Sequence, residues 1–195
     1  MAKRRRAGTE EDKAVRRAEI LRAAKEVFAR NGVHGTTIAD VARAAGGSYG
    51  IVYWYFDSKE SLFDAVMEAE GDALQASVLD ELSRDGPTDP DEALVRTMRA
   101  VFAHFGRDHA AARLLVRDSP HAPFAGRFLT ELAAIVADGQ QHGRLREGQP
   151  EVIAFVFASL VGQLVVRRLR TDDGMSDDQA AEFVVAALLD GFRAR

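Results

Sequence analysis

Apolar residues recur at three- and four-residue spacing along almost the whole chain, and strand-like alternation is scarce. That period matches the turn of an α-helix and predicts an all-α fold. Local breaks divide the pattern into nine helices. The first runs from about Lys13 to Asn31, with Ile20, Ala24, Val27 and Phe28 on one face and Gly32 as its stop. The second starts at Thr37, with Thr36 as the rival N-cap. Thr37 and Asp40 form a capping box ahead of Ile38, Val41, Ala42 and Ala45. Gly46-Gly47 breaks that helix, and Ser48 opens a third that reaches about Phe56. A fourth runs from Lys59 to about Arg84. Beyond the loop at 85–90, Asp89 and Pro90 start a fifth, which ends near Phe105. The sixth spans His109 to about Asp118, and the seventh runs from a kinked entry at 119–123 to about His142. The last two cover about Glu151–Leu169 and Asp177–Arg193, the ninth opened by a Ser176–Gln179 capping box.

Composition narrows the classes. At 47% hydrophobic and 29% charged the chain reads as ordinary globular material. Cysteine is absent, so disulfides, thiolate metal sites and a cysteine nucleophile are excluded. The longest apolar stretch, Val152 to Val166, is broken by Ser159 and Gln163 and falls short of a membrane span. Lys3, Arg4, Arg5 and Arg6 have no apolar run behind them, which argues against a secretory signal. The expected location is the cytoplasm, with no membrane partner. A net charge of −4, taken as a whole, argues against a polyanion, but the charge is unevenly placed. Residues 1–60 carry 12 Lys and Arg against 8 Asp and Glu, a local net of +4, whereas residues 61–195 carry 14 against 22, a net of −8. The division suggests a flexible basic arm (1–12), a basic module (13–60) and an acidic body (61–195).

Residues 37–56 read as helix, glycine turn, helix, an arrangement suited to placing one helix in the DNA major groove. The second of these helices holds Tyr49, Tyr53, Trp54, Tyr55 and Phe56, which include all three tyrosines and the one tryptophan. Val52, Phe56 and part of Tyr55 suffice to fill a small three-helix core. Tyr49, Tyr53 and Trp54 are then left to bond phosphate oxygens, with Lys59 as a nearby cation. The alternative is an aromatic packing cluster without a ligand.

Gly35-Thr36-Thr37, Val41-Ala42, Ala45-Gly46, Ser48, Val52 to Phe56 and Ser58 to Leu62 together resemble the DNA-binding signature of TetR-type transcriptional repressors. The match covers about residues 15–65; the remaining helices fit the family in number and length only. The resemblance implies a phosphate contact at Thr37, base-edge positions at Ser48, Tyr49 and Gly50, and phosphate contacts at Tyr53 and Lys59, with Trp54 and Tyr55 beside them. Two positions depart from the pattern. Gly47 stands where a branched apolar residue is usual, predicting a looser turn, and Ala39 stands where a polar anchor is frequent. Gly50 offers no side chain for readout. Specificity is therefore expected from Tyr49, Ser48 and DNA shape. Lys3 to Arg6 are either a solvated tail or a DNA-binding arm.

The acidic remainder has no catalytic constellation, so no enzyme and no cofactor are expected. His104, Asp108 and His109 are the one metal-like group, and their spacing works only if a helix continues through Gly106. The eighth helix is apolar nearly all round, which places it either inside a monomer or at a homodimer interface. For the interface the candidates are Phe157, Leu160, Val161, Leu164, Val165, Phe183, Val184, Ala187 and Leu188. Helices between residues 91 and 142 are expected to enclose a pocket for an apolar or amphipathic small-molecule effector. Its candidate residues are Met98, Phe102, Phe105, Leu114, Phe128, Leu132, Val136, Phe155 and Ser159, with Arg113, Arg117 and Gln163 as polar anchors. The resulting expectation is a homodimeric, ligand-responsive repressor on a palindromic duplex operator. A ligand-independent regulator or activator of the same fold, and a helical protein-binding module, are the alternatives.

Overall fold

The structure is a computed structural model that describes residues 9–84, 90–118, 123–171 and 174–192. The Lys3–Arg6 arm lies outside the described residues, as do the side chains of Arg117, Phe128 and Leu188. Among the described residues there are nine helices and no strand: α1 Glu10–Asn31, α2 Ile38–Ala44, α3 Tyr49–Tyr55, α4 Lys59–Ser83, α5 Pro90–Arg107, α6 His109–Asp118, α7 Pro123–Gln141, α8 Pro150–Arg170 and α9 Asp177–Phe192. They form two compact units, Met1–Val66 and Met67–Arg195, so the division falls inside α4.

The first unit is built on one stripe from each helix. Ile20, Ala24, Val27 and Phe28 of α1 are buried with Ile38, Val41 and Ala42 of α2, Val52 and Phe56 at α3, and Leu62, Phe63 and Val66 of α4. The rings of Phe28 and Phe63 meet edge-on at 5.3 Å. Two helices begin at complete capping boxes, Thr9 with Asp12 and Thr37 with Asp40. The first of these starts α1 earlier than the apolar pattern predicts, because the hydrogen bonds of Thr9 and Asp12 compensate for a polar first turn.

The glycine turn between α2 and α3 is tight, contrary to the sequence expectation. Gly46 adopts a left-handed backbone with φ 60°. Its N–H donates to the Arg43 carbonyl at 3.2 Å, and the Gly47 N–H reaches back to the Ala42 carbonyl at 2.9 Å. These two bonds are a Schellman closure, which satisfies carbonyls otherwise orphaned at the helix end. The space a side chain would fill at Gly47 is taken by Arg16 of α1, whose guanidinium nitrogen lies 2.5 Å from where a Cβ would stand.

The second unit centres on α5. Met98, Val101, Phe102 and Phe105 are buried with Phe157 and Val165 of α8, Ala111 and Ala112 of α6, and Ala180, Ala181, Val184 and Val185 of α9. The small alanines of α6 and α9 let neighbouring helices approach closely. Arg96 is 4% exposed and faces Glu81 near the end of α4, with Nε 4.0 Å from Oε1. Arg99 reaches Glu81 at 3.4 Å and also pairs with Asp178 of α9. This ion-pair group joins three helices inside the unit.

Helix α8 is long and apolar enough to cross a membrane by length and composition, which the interrupted run had not suggested. Ile153, Ala154, Phe157 and Val165 are buried, and α6 and α7 pack on it, while an apolar stripe from Val152 to Leu160 remains exposed.

Candidate nucleic-acid interface

Helix α3 is only seven residues long and buries Val52 alone, with Phe56 sealing its end. Its other aromatic side chains point outward: Tyr49 is 55% exposed, Tyr53 40% and Trp54 63%. Tyr55 is half-buried and meets Trp54 edge-on at 4.6 Å. Large aromatic rings left in water on so short a helix are not core material, so Tyr49, Tyr53 and Trp54 do not fill the core of this unit.

The exposed rings are ordered by their neighbours. Tyr49 and Tyr53, one helical turn apart, have centroids 4.7 Å apart. A hydrogen bond with the Tyr49 side chain, followed by its charge, some burial and Glu60, holds the Tyr53 phenol above its ordinary value of 10. Lys13 lies 5.8 Å over the Trp54 ring, and Arg17 lies 5.3 Å over Phe56. With Arg16 against Gly47, three cations of α1 therefore line the turn and the aromatic helix.

The remaining DNA candidates lie in the same unit. Ser48 is exposed and its hydroxyl makes no capping bond. Gly50 is exposed, with nothing near the position of a Cβ. Lys59 is the first residue of α4, behind reciprocal caps in which the backbone N–H groups of Ser58 and Ser61 donate to each other's hydroxyls at 3.1 and 3.0 Å. A cation at a helix N-terminus opposes the helix dipole, which favours a functional reason for its presence. Thr37 is exposed but committed to its cap, its hydroxyl donating to Asp40 Oδ2 at 2.6 Å and accepting from the Asp40 N–H at 3.2 Å. Arg43, 79% exposed at its side chain, stands beside Asp40 at 3.2 Å. The sequence reading missed Lys13, Arg16 and Arg17 as neighbours of α3. Their i, i+3, i+4 spacing was the available signal.

Residues 20–66 match the profile of the bacterial regulatory proteins of the tetR family. The uncharacterized HTH-type transcriptional regulator YfiR of Bacillus subtilis is 30% identical over 186 residues, 87% of this chain and 87% of its own length. The chain belongs to the TetR family. The HTH-type transcriptional repressor KstR2 of Rhodococcus jostii is 28% identical over 189 residues, 92% of each chain. A TetR-family regulator from Marinobacter aquaeolei shares the fold with a TM-score of 0.79 at 23% identity, covering 96% of this chain and 100% of that one. Membership makes the chain a DNA-binding transcriptional regulator and not an enzyme.

The body candidates divide differently from the sequence reading. Phe157, Val165 and Val184 are buried in the core of their own unit and are unavailable to a second subunit. Val161 and Leu164 are half-buried, while Leu160, Phe183 and Ala187 are exposed. Conversely Phe155, Ser159 and Gln163, expected in the pocket, lie on the exposed stripe of α8 with Val152, Val156 and Leu160. A helix apolar on most sides carries no polar marker for its inward face, so the pattern could not set the phase.

Met98 and Leu114 are core residues, as is Val136 of α7, while Leu132 is half-buried and Arg113 exposed. Of the expected pocket set, Phe102 and Phe105 line a cavity of about 230 Å³ with Val165, Arg168, Leu169 and Met175. Arg168 lies 5.7 Å over the Phe102 ring and bonds Asp177 at 2.9 Å. The metal-like trio does not assemble. Helix α5 does continue through Gly106, but Asp108 caps α6 by accepting from the Ala110 and Ala111 N–H groups at 3.1 and 3.0 Å. Among the described residues no three His, Asp or Glu side chains could hold a metal ion.

Proposed function

We propose that this regulator is a homodimeric, effector-responsive repressor that binds a palindromic operator in the cytoplasm. The observation that carries the DNA role is the exposed aromatic face of α3 beside the cations of α1 and Lys59. Residues 13–60 would act as the head and residues 61–195 as the body. Tyr53 and Lys59, with Thr37, Trp54 and Tyr55, would hold phosphates. Ser48, Tyr49 and the bare backbone at Gly50 would face the base edges.

Dimer formation is supported by the unsatisfied apolar stripe on α8, where Val152, Phe155, Val156 and Leu160 are all exposed, and by Phe183 on α9. A two-fold dimer would place two heads on symmetric half-sites. The name of the KstR2 relative supports repression. A small amphipathic effector in the body would act by favouring one of two states. A hundred-fold change in DNA affinity needs about 2.7 kcal/mol of differential effector binding. Helix α4, which begins in one unit and ends in the other, is the element through which such a change would pass.

The test is Tyr53→Phe with Lys59→Ala in the full chain. Affinity for every duplex sequence should fall, and the salt dependence should flatten by about one counterion, that of Lys59, since the Tyr53 phenol is neutral. Unchanged affinity and salt slope would remove both residues from the phosphate contacts.

A further inference from the structure

The exposed face of α3 is unusual in what it lacks. Discrimination of bases in the major groove relies mainly on Arg or Lys for guanine, Asn or Gln for adenine, and Asp or Glu for cytosine. From Ser48 through Tyr55 the chain reads Ser-Tyr-Gly-Ile-Val-Tyr-Trp-Tyr and contains none of these. The largest side chain at its base-edge positions is the Tyr49 ring, against which the Tyr53 ring packs at 4.7 Å. The two rings pack against each other, and each carries a single hydroxyl at its tip, so most of the surface they offer is apolar. What it presents is a braced, mainly apolar wall.

We infer that Tyr49, braced by the Tyr53 ring, reads the operator through the 5-methyl groups of thymine. The methyl is the one apolar mark on the major-groove edge of a base pair. Gly50 beside Tyr49 has open space where a side chain would stand, which lets the backbone approach and the ring reach the base edge. Tyr53 braces Tyr49 and is its positioning residue. Because 5-methylcytosine carries the same methyl, it should substitute in part for thymine at the same position. This inference rests on α3 being the DNA-reading helix.

The experiment uses the full chain and a duplex selected by it from random DNA. Each thymine of the half-site is replaced in turn by deoxyuridine, which deletes the methyl alone. One or two positions should lose affinity by about four-fold, the worth of one buried methyl. At those positions 5-methylcytosine should bind better than cytosine. Tyr49→Phe should keep the methyl effect, whereas Tyr49→Ala should bring the thymine-to-deoxyuridine ratio close to one there. Tight, sequence-selective binding with no methyl effect at any thymine would overturn this inference while leaving the DNA-reading role of α3 intact. Absence of any selective duplex binding would instead sink that role itself.

Discussion

In the head α1 and α2 bury one apolar stripe beneath a polar surface, and only α3 leaves large rings outside, whereas in the body α8 carries apolar residues on nearly every side. The consequences differ. In the head the large rings left outside, such as Trp54, are gathered on one short helix and mark a contact surface. In the body an exposed Phe155 is two residues from a buried Phe157, and nothing in their chemistry separates them. What assigns them is packing, since α7 and α6, with smaller contributions from α5 and α9, cover part of α8 and leave the stripe from Val152 to Leu160 open. Exposure of an apolar residue is thus a functional clue in the head from sequence alone, and in the body only after folding.

The pair Phe155 and Phe157 gives the sharpest break. Phe157→Ala should cost about 3–5 kcal/mol of unfolding free energy, because it empties a packed core. Phe155→Asp should leave helix content intact and shift sedimentation from dimer to monomer, with a loss of about 2 kcal/mol or more if Phe155 is an interface anchor. Destabilisation by the second and tolerance of the first would reverse the phase of α8.

A smaller effect tests how the head is held. Arg16→Ala opens a gap over the glycine turn, and Gly47→Val collides with the Arg16 guanidinium. Each alone should weaken operator binding, and the double variant should recover it. The expected coupling is about 1 kcal/mol, measured by a double-mutant cycle on duplex affinity. Strict additivity would mean that Arg16 does not brace the turn.

The smallest effect concerns acid. Hydrogen bonds from the Thr37 side chain and backbone, then Arg43, hold the Asp40 carboxyl below its usual 3.8. A folded value below the unfolded one gives stabilisation that is complete above the unfolded value and lost as pH falls through the folded one. Asp40→Asn should therefore flatten the acid dependence of head unfolding below about pH 4. Fluorescence of Trp54, the sole tryptophan, reports on the head alone.

Much of the head was legible because its signals are local. Thr37 with Asp40, Gly46, Ser48 and the clustered aromatics each act on the nearest few residues. The Thr9–Asp12 box carries the same signature, yet it sits in a charged run that reads equally as a tail. Features of long range were hidden. Glu81 is distant in sequence from Arg96 and Asp178, and periodicity cannot reveal that α4, α5 and α9 bring them together. Arg168 likewise reads as a cation ending α8, while the fold places it over Phe102 beside a cavity. The Gly47 departure read as a defect until Arg16, from another helix, was seen in the vacated space.

The most direct measurement is selection of bound fragments from random duplex DNA by the purified full chain, followed by titration of the winner across salt. The account predicts a two-fold symmetric motif with half-site centres about one helical turn, roughly 34–36 Å, or a multiple apart. Affinity should fall linearly in log–log terms as salt rises. No enriched symmetric motif, or binding indifferent to salt, would contradict it.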